Sequence, residues 1–234
     1  MTTEIVLPEH HKRQFDGSYE EDNNYNLVIG PHAQFSLKND PKHLLFHLSR
    51  YKFVMKMMKP EFKVLEIGCG DAFGTILIAS NVRKVKATDW DYRMVEDNMT
   101  RMNMYDNVDF DVYDATSEVE PGAPYNAAYS LDVIEHIEPS KEEMFMKNIT
   151  DSLTQDGFFI IGTPNKYAEP WASRESKIGH INWKTHDTLR ELLEKYFKNV
   201  FMFSMNDEVL HTGYEKMSHY LFGIGSVPKS EIVN

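Results

Sequence analysis

The sequence predicts an α/β fold, a mainly parallel sheet covered by helices on both faces. Three observations carry this. After Pro60, short apolar runs alternate with helix-like stretches, the rhythm of βαβ units. The first run, Val64-Leu65-Glu66-Ile67, feeds a glycine turn, Gly68-Cys69-Gly70, and then a helix-like stretch. The last two runs follow one another with no helix between them, which suits an antiparallel finish at one edge.

The elements follow in order. Residues 1–40 are polar, with turn formers at Asp22-Asn23-Asn24 and Gly30-Pro31, and read as an irregular N-terminal arm or a lid in which Tyr19 and Tyr25 are candidates to close over a pocket. Residues 41–234 read as a single domain. Pro41 to Met58 is helix-like, because Leu44, Leu45, Leu48, Tyr51 and Met55 recur at the spacing of one buried face. Val64–Ile67 is the first strand, and Phe73 to Asn81 the helix after it. Val85–Thr88 is the second strand and ends at Asp89; Asp91 to Met104 is a helix with Asp91 as its N-terminal cap. Val108–Tyr113, ending at Asp114, and Tyr125–Leu131 are strands three and four. Glu142 to Leu153 is helical and stops near Asp156-Gly157. Phe158–Gly162 is strand five, and Asp187–Phe197 an amphipathic helix that His186 is placed to cap. Val200–Phe203 and His219–Gly225 are the last strands.

Composition narrows the function. The 234 residues carry 25 Lys+Arg against 36 Asp+Glu, a net charge of −11. This argues against a non-specific nucleic-acid binder, which needs a basic footprint, and against an anionic membrane surface. Hydrophobic residues are 41%, too many for a disordered acidic chain. No apolar run reaches the roughly 18 residues of a membrane span, and Met1–Gln14 has no apolar signal core. The single cysteine, Cys69, allows no intramolecular disulfide and no cysteine zinc cluster. A cytoplasmic location is the expectation.

The chemistry concentrates at the strand ends, where open parallel sheets bind ligands. Glycines at 68, 70 and 74 let backbone approach a ligand closely. The run Glu66-Ile67-Gly68-Cys69-Gly70-Asp71-Ala72-Phe73-Gly74 is not Gly-x-Gly-x-x-Gly, and the carboxylate before the first glycine suits a cationic ligand better than a pyrophosphate. This counts against an NAD-dependent dehydrogenase. Asp89 is placed to accept both hydroxyls of a ribose. Asp114, followed by Ala115, is placed to accept from the amine of adenine. Together these positions describe an adenosine with a cationic, phosphate-free tail.

Val64–Gly74, Lys86–Asp89, Asp109–Asp114 and Tyr125–Ile137, taken as an ordered set, resemble the class I S-adenosylmethionine (SAM)-dependent methyltransferases over roughly residues 42–226. The resemblance implies a Rossmann-like seven-stranded sheet of order 3-2-1-4-5-7-6, with the last strand antiparallel. It implies that Glu66, Gly68 and Gly70 line the methionine end of SAM. Asp89 would hold the ribose with Trp90 beside the adenine, Asp114 and Ala115 would meet the adenine edge, and Leu131 would lie near the sulfonium. Three runs, His47–Tyr51, Ser130–Ile137 and Gly179–Thr185, resemble more closely the ubiquinone-biosynthesis O-methyltransferases and the sugar methyltransferases of polysaccharide clusters.

That likeness implies O-methylation of a small polar acceptor, with a sugar or nucleotide-sugar hydroxyl as the first expectation. A small amine, or a catalytically silent SAM-binding protein, are the alternatives. A metal-dependent RNA-terminal methyltransferase would need a basic groove, and no dense Lys/Arg run is visible. Asp132, Glu135 and His136 share one face if their segment is helical. Three readings stay open for them: ligands to Mg²⁺ or a similar divalent ion, support of the loop beneath the acceptor, or metal-free catalysis by His136. His136 and His180, with Glu135, are the catalytic candidates, since a histidine suits removal of the acceptor proton. Arg50 is a candidate contact for the SAM carboxylate or an anionic acceptor; a surface arginine is the alternative. His43 and His47 are expected to pack on the pre-sheet helix, and His10 and His11 to be solvated.

Overall fold

The computed structural model describes residues 29–230. Most of the predicted arm, with His10, His11, Tyr19 and Tyr25, lies outside the described residues. What is described of it carries a helix, α1 (Pro31–Asn39), where an irregular segment was expected. Polarity hid this helix: only Ala33 of it is buried, so it leaves almost no hydrophobic pattern. Pro31 opens it at a position where a missing N–H costs nothing.

Helix α2 (Pro41–Met57) leads to β1 (Lys63–Ile67), α3 (Thr75–Ala79), β2 (Lys84–Asp89), α4 (Tyr92–Arg101), β3 (Val108–Val112) and β4 (Tyr125–Leu131). Then come α5 (Glu142–Asp151), β5 (Leu153–Pro164), α6 (Arg174–Gly179), α7 (His186–Tyr196), β6 (Phe197–Asn206), β7 (Val209–His211) and β8 (Tyr220–Pro228). Asp91 caps α4 as expected, accepting from the Arg93 N–H at 3.0 Å. Helix α7 is capped by Thr185, through a reciprocal pair with Thr188; His186 is its first residue and not its cap. Helix α5 ends at Asp151, because Leu153 already pairs with Tyr125. The strand then bulges before pairing resumes at Phe158 opposite Ala127, so Asp156-Gly157 marks an irregularity inside β5 and not a helix end.

The sheet order is β3-β2-β1-β4-β5-β8-β6-β7. Strands β1 to β5 run parallel, and β8 lies antiparallel between β5 and β6. This is the expected order with one addition, the three-residue strand β7, which pairs back on β6 through a tight turn where Asp207 is left-handed. At the opposite edge, β3 carries Asp109 and Asp111, ion-paired across to Lys84 (2.7 Å) and Lys86 (2.8 Å) of β2.

Alternation along the central strands divides the core. Leu65 and Ile67 pack with Phe145, Ile149, Leu189 and Leu193 of α5 and α7 on one face. Val64 packs with Tyr51, Val54 and Ile78 of α2 and α3 on the other. No described helix is long and apolar enough to cross a membrane.

Candidate functional site

The parallel strands end at a cavity of about 1100 Å³. Its walls come from the loops after β1, β2, β3 and β4, from α1 and α2, and from the segment between β5 and α7.

One end is formed by the glycine loop. Gly68 has φ +78°, and a Cβ there would stand 2.2 Å from Val133 Cγ2. Gly70 is also left-handed, at φ +52°. Neighbouring side chains hold the loop. Asp89 accepts from the Gly70 N–H through Oδ2 and from the Asp91 N–H through Oδ1, both at 2.9 Å. Asn98, wholly buried on α4, donates to the Gly70 carbonyl at 2.7 Å. Arg101 donates to the Asp71 carbonyl at 2.8 Å. Asp89 faces the cavity, Trp90 stands exposed at its rim, and Leu131 lines its floor. Asp114 accepts from the N–H and hydroxyl of Thr116, and the carbonyl of buried Ala115 accepts from Asn148.

Glu66 departs from its expected place. It does not line the cavity; alternation turns it onto the α2/α3 side, with Val64. There Tyr51 Oη donates to one carboxylate oxygen at 2.9 Å and Thr75 Oγ1 to the other at 2.7 Å. Burial pushes its pKa up to about 7, against the hydrogen bonds that lower it. Glu66 supports the loop from beneath.

The other end is built from side chains. Arg50, expected as a cofactor contact or a surface residue, is part-buried in the cavity wall. It donates from one guanidinium nitrogen to both oxygens of Asp132, at 2.8 and 3.1 Å, and lies over the Tyr220 ring, 3.9 Å from its centroid. The segment carrying Asp132, Glu135 and His136 is not a regular helix. Asp132 is left-handed (φ +57°), and a single 3₁₀ turn spans Ile134–His136. Asp132 is therefore committed to Arg50, and the expected trio Asp132, Glu135, His136 is replaced by another. Glu135, His136 and His180 present ligand atoms that all lie within 4.8 Å of one another.

The segment between β5 and α7 folds onto this turn. The Glu135 carbonyl accepts from the N–H groups of Ile181 and Asn182, and Nδ1–H of His136 donates to the Gly179 carbonyl at 3.0 Å, so that its Nε2 has no hydrogen-bond partner among the described residues. The His136 and His180 rings meet edge to face, 4.9 Å apart, and Trp183 flanks His180. Thr163 donates to Glu135 Oε2 at 2.9 Å. Burial, then the charge of Asp132, raises the Glu135 pKa well above the ordinary carboxylate range. Burial, then His136, lowers that of His180.

The cavity also takes in residues not singled out from the sequence, among them Tyr113, Thr116, Val133, Trp171 and His219. Six of the ten histidines line it. His43 and His47 are two of them, although packing on α2 was expected; their spacing of four residues, shared with Tyr51, is the signal that places them on one face.

A sheet of this order, with a glycine turn after β1 and carboxylates after β2 and β3, has the Rossmann-like class I methyltransferase fold. A model of the family described as a methyltransferase domain matches residues 19–199, and the chain belongs to that family. A probable SAM-dependent methyltransferase of Mycolicibacterium smegmatis is 31% identical over 132 residues, 56% of this chain and 49% of that one. One from Mycobacterium tuberculosis is 28% identical over 120 residues, 50% of this chain and 42% of that one. The chain thus spans about half the length of the curated relatives it matches. The fold is similar to the methyltransferase domain of bacterial CtHen1-C (TM-score 0.66, 18% identity, 79% of this chain and all of that one). It is also similar to the N-methyltransferase NodS of Bradyrhizobium japonicum bound to S-adenosylhomocysteine (SAH) (TM-score 0.58, 14% identity, 93% and 98% covered).

Proposed function

We propose that this chain transfers the methyl group of SAM to a hydroxyl of a small polar acceptor, with a sugar or nucleotide-sugar as the first candidate. The observation that carries the reading is the His136–His180 pair beside Glu135, just beyond Leu131 at the end of β4. Gly68 and Gly70 present backbone to the methionine end of SAM, Asp89 accepts from the ribose hydroxyls, and Trp90, Asp114 and Ala115 surround the adenine. Leu131 then lies near the sulfonium. The acceptor oxygen attacks the methyl carbon, the carbon–sulfur bond breaks, SAH leaves, and His180 takes the hydroxyl proton. A histidine held below its ordinary pKa is neutral at pH 7 and free to do so.

Pairing with Arg50 neutralises Asp132, so this end is a weaker magnet for a cationic amine, and a hydroxyl acceptor is favoured over N-methylation. The net charge of −11 favours a small acceptor over a nucleic acid or a membrane.

A second reading has its own support. Glu135 Oε1 and His180 Nδ1 are buried without a hydrogen-bond partner among the described residues, as ligands awaiting Mg²⁺ or another divalent ion would be. Glu135, His136 and His180 would hold the ion, which would polarise the acceptor hydroxyl; His180 would then be a ligand and not the base.

The test is transfer from methyl-labelled SAM into a fractionated cell extract, with and without EDTA. Label in the small polar fraction, insensitive to EDTA, supports the first reading. EDTA-sensitive label there supports the second. Label in RNA or protein overturns the acceptor class, and SAH binding without any transfer favours a silent SAM-binding protein.

A further inference from the structure

Helix α1 has no capping side chain from its own segment: Gly30 precedes it, and a glycine offers no acceptor. The missing acceptor comes from the glycine loop. Asp71, buried and next to Gly70, accepts from the Ala33 N–H through Oδ2 at 2.8 Å. The fit is close. A Cβ on Gly30 would stand 2.3 Å from Asp71 Cβ, although the φ of Gly30, −69°, is open to any residue. Glycine is needed there for space. The same Asp71 offers its carbonyl to Arg101 of α4, so one residue joins the loop to helices on two sides.

Among the described residues, α1 has few other attachments: Ser36 Oγ meets His43 Nδ1 of α2 at 3.2 Å at the exposed surface. Ala33 is its one buried residue, while Phe35 and Leu37 are exposed. Yet His32 and Ser36 line the cavity, and the His32 ring lies 3.6 Å from where a Gly70 Cβ would be. A short helix with so little apolar anchoring belongs to the low-stability end of a structure, and a buried hydrogen bond to a carboxylate at its positive end is a large share of what docks it.

We propose that Asp71 is a positioning residue that latches α1 over the glycine loop and thereby couples cofactor affinity to docking of α1. This rests on the loop as the cofactor site and on nothing at the acceptor end. The loop holds Asp71 toward Ala33, α1 completes the wall, and a cofactor seated on the loop is enclosed only while α1 is docked. By linkage, weakening the latch weakens cofactor binding.

The test measures SAH affinity by calorimetry and amide exchange across residues 31–39 in the wild type, Asp71→Ala, Asp71→Asn and Gly30→Ala. Loss of a charge-assisted hydrogen bond predicts a Kd for SAH about tenfold higher in Asp71→Ala, with faster exchange at Ala33 and Gln34. Asp71→Asn keeps an acceptor oxygen and rescues most of the affinity. Gly30→Ala changes no loop residue but crowds Asp71 from the α1 side, and it reproduces the Asp71→Ala result; it also decides the matter if Asp71→Ala does not fold. SAH slows exchange over 31–39 in the wild type but much less in the two latch-breaking variants. Wild-type affinity and exchange in Gly30→Ala overturn the latch, even if Asp71→Ala binds poorly, because Asp71 would then act on the loop alone. A wild type that does not bind SAH overturns the cofactor reading instead.

Discussion

At the glycine-loop end of the cavity, proposed above for the cofactor, the walls are largely backbone, drawn from consecutive strand ends and held by Asp89, Asn98 and Arg101. At the other end, proposed above for the acceptor, they are side chains gathered from distant parts of the chain: Arg50, Asp132, Glu135, His136, His180 and Tyr220. Seven described buried side-chain polar atoms lack a partner, and four of them belong to Arg50, Glu135, His180 and Tyr220. Unpaired buried groups are costly, so they mark where a structure expects a ligand. The first end is shaped before anything binds. The second holds donors and acceptors in reserve, with the Glu135 and His180 pKa values displaced in opposite directions.

The largest expected effect is at the prebuilt end. Gly68→Ala would force a left-handed alanine against the stiff Val133 side chain. SAH affinity should fall at least about a hundredfold, with methyl transfer lost alongside it. Near-normal SAH titration by this variant would break the contrast, since a backbone-shaped wall has no room for a Cβ.

At the reserve end, His180→Ala should lower kcat by roughly a hundredfold or more while SAH affinity stays within about twofold. Single-turnover transfer and SAH calorimetry on one preparation separate the two. A matching loss of cofactor affinity would mean that the two ends are not independent.

The smallest effect concerns stability and pH. Glu66 has a folded pKa raised to about 7 against an ordinary 4.5. Folding therefore favours its protonated form. The stabilisation is full below the unfolded pKa, declines as pH rises from about 4.5, and is lost above about 7, an upper bound of roughly 3 kcal/mol. The wild-type Tm should lose several degrees between pH 5 and pH 7.5 on this account, and Glu66→Gln should show less of that decline. Parallel curves for the two proteins would remove Glu66 from the pH dependence.

The prebuilt end was the more legible, for a physical reason. Its elements are local: a glycine turn directly after an apolar run, then Asp89 and Asp114 directly after two more. Glu66 was misread because both faces of a parallel strand are buried, so the pattern Val64-Leu65-Glu66-Ile67 does not say which face meets the ligand. At the acceptor end, Glu135, His136 and His180 were found as residue types, but their grouping was not. It depends on a left-handed Asp132 and on the packing of the 179–182 backbone against Glu135, neither of which leaves a periodic trace. Helix α1 was missed because its described attachments are hydrogen bonds to Asp71 and His43 and a single buried alanine, not a hydrophobic stripe.

The two margins of the sheet lead to a last point, about what the protein avoids. An edge strand offers unpaired backbone groups to any other chain that can lie beside it. One margin ends in β7, three residues long and too short to template an addition. The other ends in β3, where the Lys84–Asp109 and Lys86–Asp111 pairs set a row of ions along the outermost ladder. An approaching strand would have to strip water from those ions before forming its first hydrogen bond. Among the described residues, brevity guards one margin of the sheet and hydration the other.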